Sequence, residues 1–349
     1  MKILDYSTFN RYLKTYSGSE GKMSIMIDDS VYMIKGPTKA KENRGALEGT
    51  WYNNVFSEYI GSHIFAMTGI PTQETKLGYY DKQLVVLCKD FTQKGERLQE
   101  FSEYKNGFLD SNSLGRTVEL PEVLETIEKN DAIPQTLKKE AIERFWDMFV
   151  IDALIGNPDR HNGNWGFLFN QDNNKVRLAP VYDCGASLFA RMADKIKTEI
   201  LSNETELNQR IYNRPLSAIT LNGQKLNYNV YLKETDNEDC KAAIKRIVPK
   251  IDVVAIKNMI NEIPVLSDLN KRFYSVIIDG KYNKVLQPAY KQILKQEVKK
   301  DRTIYSKIFG CELKNAEYDP DWEPAKAERN KESDPPTTSK NHDDFEPEL

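Results

Sequence analysis

The sequence predicts an α+β fold in two lobes: a small antiparallel sheet carrying one helix, then a mainly helical lobe. Three observations point there. Short alternating segments separated by turn residues occupy residues 11–91, a single helical apolar stripe interrupts them, and from residue 121 most periodic segments have helical spacing. The boundaries expected are 1–92 for the sheet lobe, 93–316 for the helical lobe and 317–349 for an acidic tail.

Taken in order, RYLKTY reads as a strand, SGSEG as a loop, and KMSIMID and SVYMIK as two strands around an Asp28-Asp29 turn. Residues 36–50 form a polar connection. From Trp51 to Met67, the residues Val55, Phe56, Tyr59, Ile60 and Ile64 trace a helical stripe that Gly69 ends. TQETKLGYY and KQLVVLCKDF then form a hairpin around Asp81. After a polar stretch (93–119) come PEVLETIEKN and the long helix QTLKKEAIERFWDMFVIDALIG, with Ile142, Phe145, Phe149 and Ile155 as core candidates. Helical patterns follow in MADKIKTEILSN, DCKAAIKRIV, DVVAIKNMINEI, VLSDLNKRFYSVIIDG and LQPAYKQILKQEVKKD. Residues 317–349 hold 11 acids, 4 bases and 5 prolines, too little apolar surface to offset chain entropy, so the tail is expected to be disordered.

The bulk numbers exclude several classes. Charged residues make up 29% and the formal charge is −3, so no global basicity argues for nucleic acid. Cys88, Cys184, Cys240 and Cys311 are scattered without a CxxC pair, and three histidines give no zinc pattern. The opening MKILDYSTFNRYLKTY lacks a signal-peptide core, and no apolar run is long enough to cross a membrane. A cytoplasmic location is expected, with secretion lacking a cleavable signal left open.

The chemistry concentrates in residues 157–185, NPDRHNGNWGFLFNQDNNKVRLAPVYDCG. Asp159 and Asn164 are spaced D-x-x-x-x-N, and Asp183 follows across a hairpin turning at QDNNK. Phosphoryl transfer to a hydroxyl needs a carboxylate to orient the hydroxyl and accept its proton, and oxygen ligands to hold Mg²⁺ against nucleotide phosphates. A lone Asp or Asn in such a loop is more often a turn residue; the three together favour a site. The sheet lobe supplies the remaining parts in the order required. Gly18, Ser19 and Gly21 lie in the loop between the first two strands, Lys35 ends the third, and Glu58 sits mid-helix. Cys88, Lys89, Asp90 and Phe91, at the end of the fifth strand, are placed as the adenine-facing hinge. His161 either orders the loop or helps deprotonate the acceptor. The hydroxyls of Ser17 and Ser19 either cap the glycine loop or take autoregulatory phosphate.

DALIGNPDRHNGNWGFL followed by RLAPVYDCG, together with SEYIGSHI, CKDF and LSNETELNQRIYN, resembles the HipA-like bacterial serine/threonine protein kinases, in particular their short stand-alone cell-translocating members. The resemblance covers most of residues 15–280. It implies a two-lobed protein-kinase-like fold related to phosphatidylinositol kinases, ATP and Mg²⁺ as cofactors, and a protein substrate with a Ser/Thr acceptor. It places the catalytic aspartate on Asp159, the metal ligands on Asn164 and Asp183, and the phosphate-contacting lysine, with its glutamate, on Lys35 and Glu58. HipA toxins carry a further N-terminal subdomain not seen in this sequence, so neither an antitoxin partner nor the toxins' glutamyl-tRNA synthetase substrate is implied. Two alternatives stand beside this reading. GNPDRHNGN also resembles the G-x-x-D-R-H-x-x-N loop of phosphatidylinositol kinases, and a kinase fold can serve as an inactive binding module.

Overall fold

Alternation along the central strands explains how one sheet serves two cores. In this computed structural model, which describes residues 1–12, 23–37, 53–109 and 118–309, β5 (Thr75–Tyr80) and β6 (Gln83–Lys89) pair antiparallel around the Asp81-Lys82 turn. Val86 and Cys88 face the main hydrophobic core, while Val85 and Leu87 pack on the opposite face with Tyr6, Ile25, Tyr32 and Tyr80. The sheet has six strands in the order β1-β5-β6-β4-β3-β2, completed by β1 (Leu4–Asp5), β2 (Arg11–Tyr12), β3 (Met23–Ile27) and β4 (Ser30–Lys35). It is mixed rather than purely antiparallel, because β1 runs parallel to β5. A strand of two residues carries no alternation to read, so β1 has no signature in the sequence. The glycine loop with Ser17, Gly18, Ser19 and Gly21, most of the 36–50 connection and the 317–349 tail lie outside the described residues.

Helix α1 (Asn54–Met67) covers the inner face of the sheet with the predicted stripe, Val55, Phe56, Tyr59, Ile60 and Ile64. The polar stretch after Phe91 contains more structure than its composition suggests. β7 (Glu96–Glu100) pairs with β8 (Gly166–Asn170), which pairs with β9 (Lys175–Leu178), making a three-stranded sheet around the predicted hairpin. α2 (Phe101–Leu109) and α3 (Leu120–Lys129) follow β7.

α4 (Gln135–Ile155) is the long helix expected, with Phe145, Phe149 and Ile155 in the core. From Arg144 to Ile155 every residue is buried, so it is the central post of the helical layer, with Ile142 only half-buried. Gly156 ends it in the left-handed region (φ 60°), where glycine carries no Cβ penalty. The remaining helices are α5 (Asp194–Ser202), α6 (Glu204–Tyr212), α7 (Tyr228–Glu234), α8 (Glu238–Ile247), α9 (Val253–Asn261), α10 (Asp268–Lys281) and α11 (Gln287–Phe309). A π turn, Tyr282–Leu286, joins α10 to α11. The strands, the sheets and the helices up to Lys295 form one compact unit; a second begins at Gln296 and contains the rest of α11. Among the described residues no helix is long and apolar enough to cross a membrane.

Candidate active site

Lys35 ends β4 with its side chain pointed at two carboxylates. Its Nζ lies 3.2 Å from Glu58 Oε2 and 3.3 Å from Asp183 Oδ1. Burial opposes the lysine charge, but Asp183 and Glu58 outweigh it and hold the ammonium pKa well above its ordinary value. The cation is therefore fixed at any physiological pH. Glu58 is 2% exposed, and its other oxygen accepts from the Cys184 N–H at 3.2 Å. One carboxylate thus ties the strand lysine to the loop that carries Asp183.

That loop is clamped from several sides. Gln73 N–H donates to Val181 O and Val181 N–H to Pro71 O, a parallel bridge ending two residues before Asp183. Leu188 N–H donates to Ile155 O, and Asn53 N–H to Ala190 O. Asp183 takes φ 60°, a conformation few non-glycine residues adopt and one found where surrounding structure imposes it. Gly61 permits the close approach of α1, since a Cβ there would lie 2.6 Å from Cys184 Cβ.

Residues 157–164 form a second rigid loop. Asn157 Oδ1 accepts from Asp159 N–H at 3.0 Å, and Asn164 Nδ2 donates to Asp159 O at 2.8 Å. The amide orientation leaves Asn164 Oδ1 as the atom able to hold a cation. His161 Nδ1 accepts from Gly163 N–H at 3.0 Å, so the ring closes the turn. Asp159 is exposed, and its carboxylate accepts no hydrogen bond among the described residues, which leaves it open to an incoming hydroxyl.

Sequence reasoning assigned no role to the residue that joins these loops. Arg160, 3% exposed, forms a two-point pair with Asp152 through Nε (2.9 Å) and Nη2 (3.2 Å). Its Nη1 donates to the carbonyls of Asn164 and Tyr182. The guanidinium therefore sets the spacing between the Asp159–Asn164 loop and the residue preceding Asp183. Burial opposes its charge, yet Asp152 keeps it fully protonated. The available signal was Asp152 itself, a carboxylate inside the otherwise apolar run FVIDALIG.

Several backbone groups of the expected hinge, Cys88–Phe91, are engaged within the protein. Lys89 N–H donates to Glu74 O and Asp90 N–H to Val31 O, while Lys89 O accepts from Gln73 Nε2. These groups are spent within the protein. Phe91, whose ring lies 5.7 Å from that of Tyr182, has its N–H unengaged among the described residues. Burial pushes the Cys88 thiol up, and burial likewise takes Cys184 to about 12, so neither is a thiolate nucleophile.

Comparison with known proteins agrees with this architecture. Residues 15–254 match the model of the HipA-like C-terminal domain. The chain belongs to the HipA-like family. It is a HipA-like kinase, with the mixed sheet and helical layer of that fold. It is 39% identical over 280 residues to the serine/threonine-protein kinase CtkA of Helicobacter pylori, covering 79% of this chain and 84% of that one. The crystal structure of the Helicobacter pylori proinflammatory kinase CtkA superposes with a TM-score of 0.75 at 34% identity, over 85% of this HipA-like chain and all of the other. A chain in the Shewanella oneidensis complex of HipA, HipB and operator DNA gives a TM-score of 0.45 at 12% identity, over 74% of this chain and 60% of that one.

Proposed function

We propose that this HipA-like kinase transfers the γ-phosphoryl group of ATP to serine and threonine hydroxyls of a protein substrate, residues 1–92 holding the nucleotide and 93–316 the acceptor. The observation that carries the reading is the Lys35–Glu58–Asp183 constellation: one cation on the sheet, held between a helix carboxylate and a loop carboxylate, with Glu58 also binding the Cys184 N–H. A phosphate-binding lysine must be oriented and charged before nucleotide arrives, and these contacts accomplish both.

In this reading Asp159 orients the acceptor hydroxyl and takes its proton as the new O–P bond forms and the bond to the β-phosphate oxygen breaks, leaving ADP. Asn164 and Asp183 would hold Mg²⁺. Their donor set suits that ion: one amide oxygen, left available by the Asn164 amide orientation, and one carboxylate, since magnesium in phosphoryl-transfer sites takes few protein oxygens and completes its shell with phosphate and water. When bound, Mg²⁺ neutralises charge on the β- and γ-phosphates. Lys35 would position the phosphates, and the Phe91 N–H, unengaged among the described residues, would be the donor available to the adenine.

Incubating the full chain with labelled ATP, Mg²⁺ and either generic protein substrates or phosphatidylinositol vesicles tests the proposal. Label on protein at serine or threonine is expected, and it should disappear with Asp159→Asn and with Lys35→Met. Label on lipid alone, or undiminished protein label with Asp159→Asn, would overturn it.

A further inference from the structure

Asp159 does more than face open solvent: it lines one side of a groove of about 530 Å³ on the helical layer. Of the side chains that line the groove, three are charged, namely Asp159, Arg191 and Arg210. The rest of the wall is apolar, and its large members are Phe189, Met192, Ile196 and Pro215. A volume in the range that encloses a drug-sized ligand is far more than one hydroxymethyl group requires. The excess space lies against apolar side chains and two guanidinium groups.

The walls are built rather than incidental. Leu188 and Phe189 both take positive φ (54° and 56°), and Leu188 is pinned to the end of α4 through Ile155 O. Ala190 O accepts from Asn53 at the start of α1, and Met192 N–H donates to Phe189 O. On the other side, Lys281 Nζ reaches Arg214 O at 3.2 Å and Ile211 O at 3.4 Å, supporting the segment that carries Arg210 and Pro215. Arg210 is held at 3.3 Å from Glu206, one turn earlier on α6. A rigid groove of this kind loses little freedom when occupied. Ile196, by contrast, is 38% exposed, an apolar side chain presented at the groove without cover.

We infer that this groove binds the acceptor segment of the protein substrate in extended form, and that it selects a large apolar residue on one side of the Ser/Thr and an acidic residue within reach of Arg191 and Arg210. The occupant follows from continuity and charge: the groove begins at the carboxylate that must meet the acceptor hydroxyl, and away from Asp159 its charged lining is entirely cationic. This deepens the proposed function and rests on the assignment of Asp159. A phosphoinositide headgroup would also meet the two arginines, but it would leave the apolar wall unused.

The test is a positional-scanning peptide library with a fixed Ser/Thr acceptor, phosphorylated by the full chain with labelled ATP and Mg²⁺. The parent should enrich Leu, Ile, Met or Phe at one flanking position and Asp or Glu at another. Arg191→Glu combined with Arg210→Glu should turn the acidic preference into a basic one, a swing on the order of tenfold in the acid-to-base ratio. Each preference is a ratio within one enzyme, so a change in overall rate cancels. Ile196→Asp, a change at an exposed site, should reduce the apolar preference and supplies an answer if the double variant fails to fold. Identical preferences in parent and variants would overturn the inference, as would a flat parent library. If a flat library accompanies autophosphorylation that Asp159→Asn abolishes, the inference fails alone. If the parent labels vesicles instead of peptides, or labels nothing, the functional reading fails with it.

Discussion

Arg160 and Asp152 make a demanding prediction because their pairing is almost fully removed from water, at 3% and 1% exposure. Asp152→Asn keeps the side-chain shape and one oxygen able to accept from Arg160, but deletes the counter-charge. At the 2.9 Å contact, the Coulomb attraction is roughly 6 kcal/mol with an effective dielectric near 20. Measured costs of breaking a buried pair run to about 3–5 kcal/mol. The retained hydrogen bond argues for the lower end, so a loss of about 3 kcal/mol is expected, which at this chain length lowers the melting temperature by roughly 4 °C. Urea unfolding and thermal melting at pH 7 measure both quantities. A second variant separates stability from geometry. Asp152→Leu with Arg160→Met removes both charges, and such apolar replacement of a buried pair is often neutral or stabilising. Stability should return towards that of the parent while phosphoryl transfer does not, since the hydrogen bonds to the Asn164 and Tyr182 carbonyls are gone. An Asp152→Asn protein within about 1 kcal/mol of the parent, or a fully active double variant, would refute the role assigned to the guanidinium.

Three further outcomes are expected. Lys281 is buried, with backbone carbonyls as partners, and desolvation lowers its pKa from 10.5 to about 7. Between those values the unfolded chain binds a proton that the folded chain does not. This group's contribution to stability therefore rises with pH from about 7 towards 10.5, by up to roughly 3–5 kcal/mol; Lys281→Met should lose that rise in pH-dependent urea titrations and be the more stable protein at pH 6. Gly61→Ala gains up to about 1 kcal/mol of helix propensity, but its Cβ would sit 2.6 Å from Cys184 Cβ. Overpacking of roughly 1–3 kcal/mol should win, seen as lower stability and, because the Asp183 loop must shift, as lower kinase activity. Glu58→Gln can still accept from Cys184 N–H but leaves Lys35 with Asp183 alone; turnover should fall on the order of tenfold to a hundredfold while the melting temperature changes much less, and full turnover in a steady-state kinase assay would contradict the positioning role.

The parts of this molecule that were legible in the sequence share one property: their chemistry depends on side-chain identity. Under the proposed function, Asp159, Asn164 and Asp183 are oxygen-bearing residues at workable spacing, and Lys35 and Glu58 occur in order on a strand and the next helix. Structure brings Lys35, Glu58 and Asp183 into direct contact. The parts that were hidden act through the backbone or through tertiary shape. Arg160 stood in plain view between Asp159 and His161, but its task is to hold two carbonyl oxygens, and a carbonyl has no residue code. The same reason applies to the proposed hinge: which N–H groups of CKDF the protein itself consumes is evident only from the bonds of Asp90 N–H to Val31 O and Lys89 N–H to Glu74 O. β7 escaped notice because Glu96-Arg97-Leu98-Gln99-Glu100 is a partly exposed edge strand with one aliphatic residue, so its composition resembles a loop. α4 was legible as a helix with Phe145, Phe149 and Ile155 in the core, while its burial on every side from Arg144 to Ile155 was not, since polar residues such as Asp147 and Asp152 interrupt the apolar run there. The acceptor groove lies at the far end of this scale. It is assembled from α4's end, the 186–196 segment and the residues around Arg210 and Pro215, and no short stretch of sequence contains enough of it to be read. It follows that acceptor choice can change without any change in those motifs, because Phe189, Arg191, Ile196 and Arg210 line the groove but are not among the residues assigned to the transfer itself.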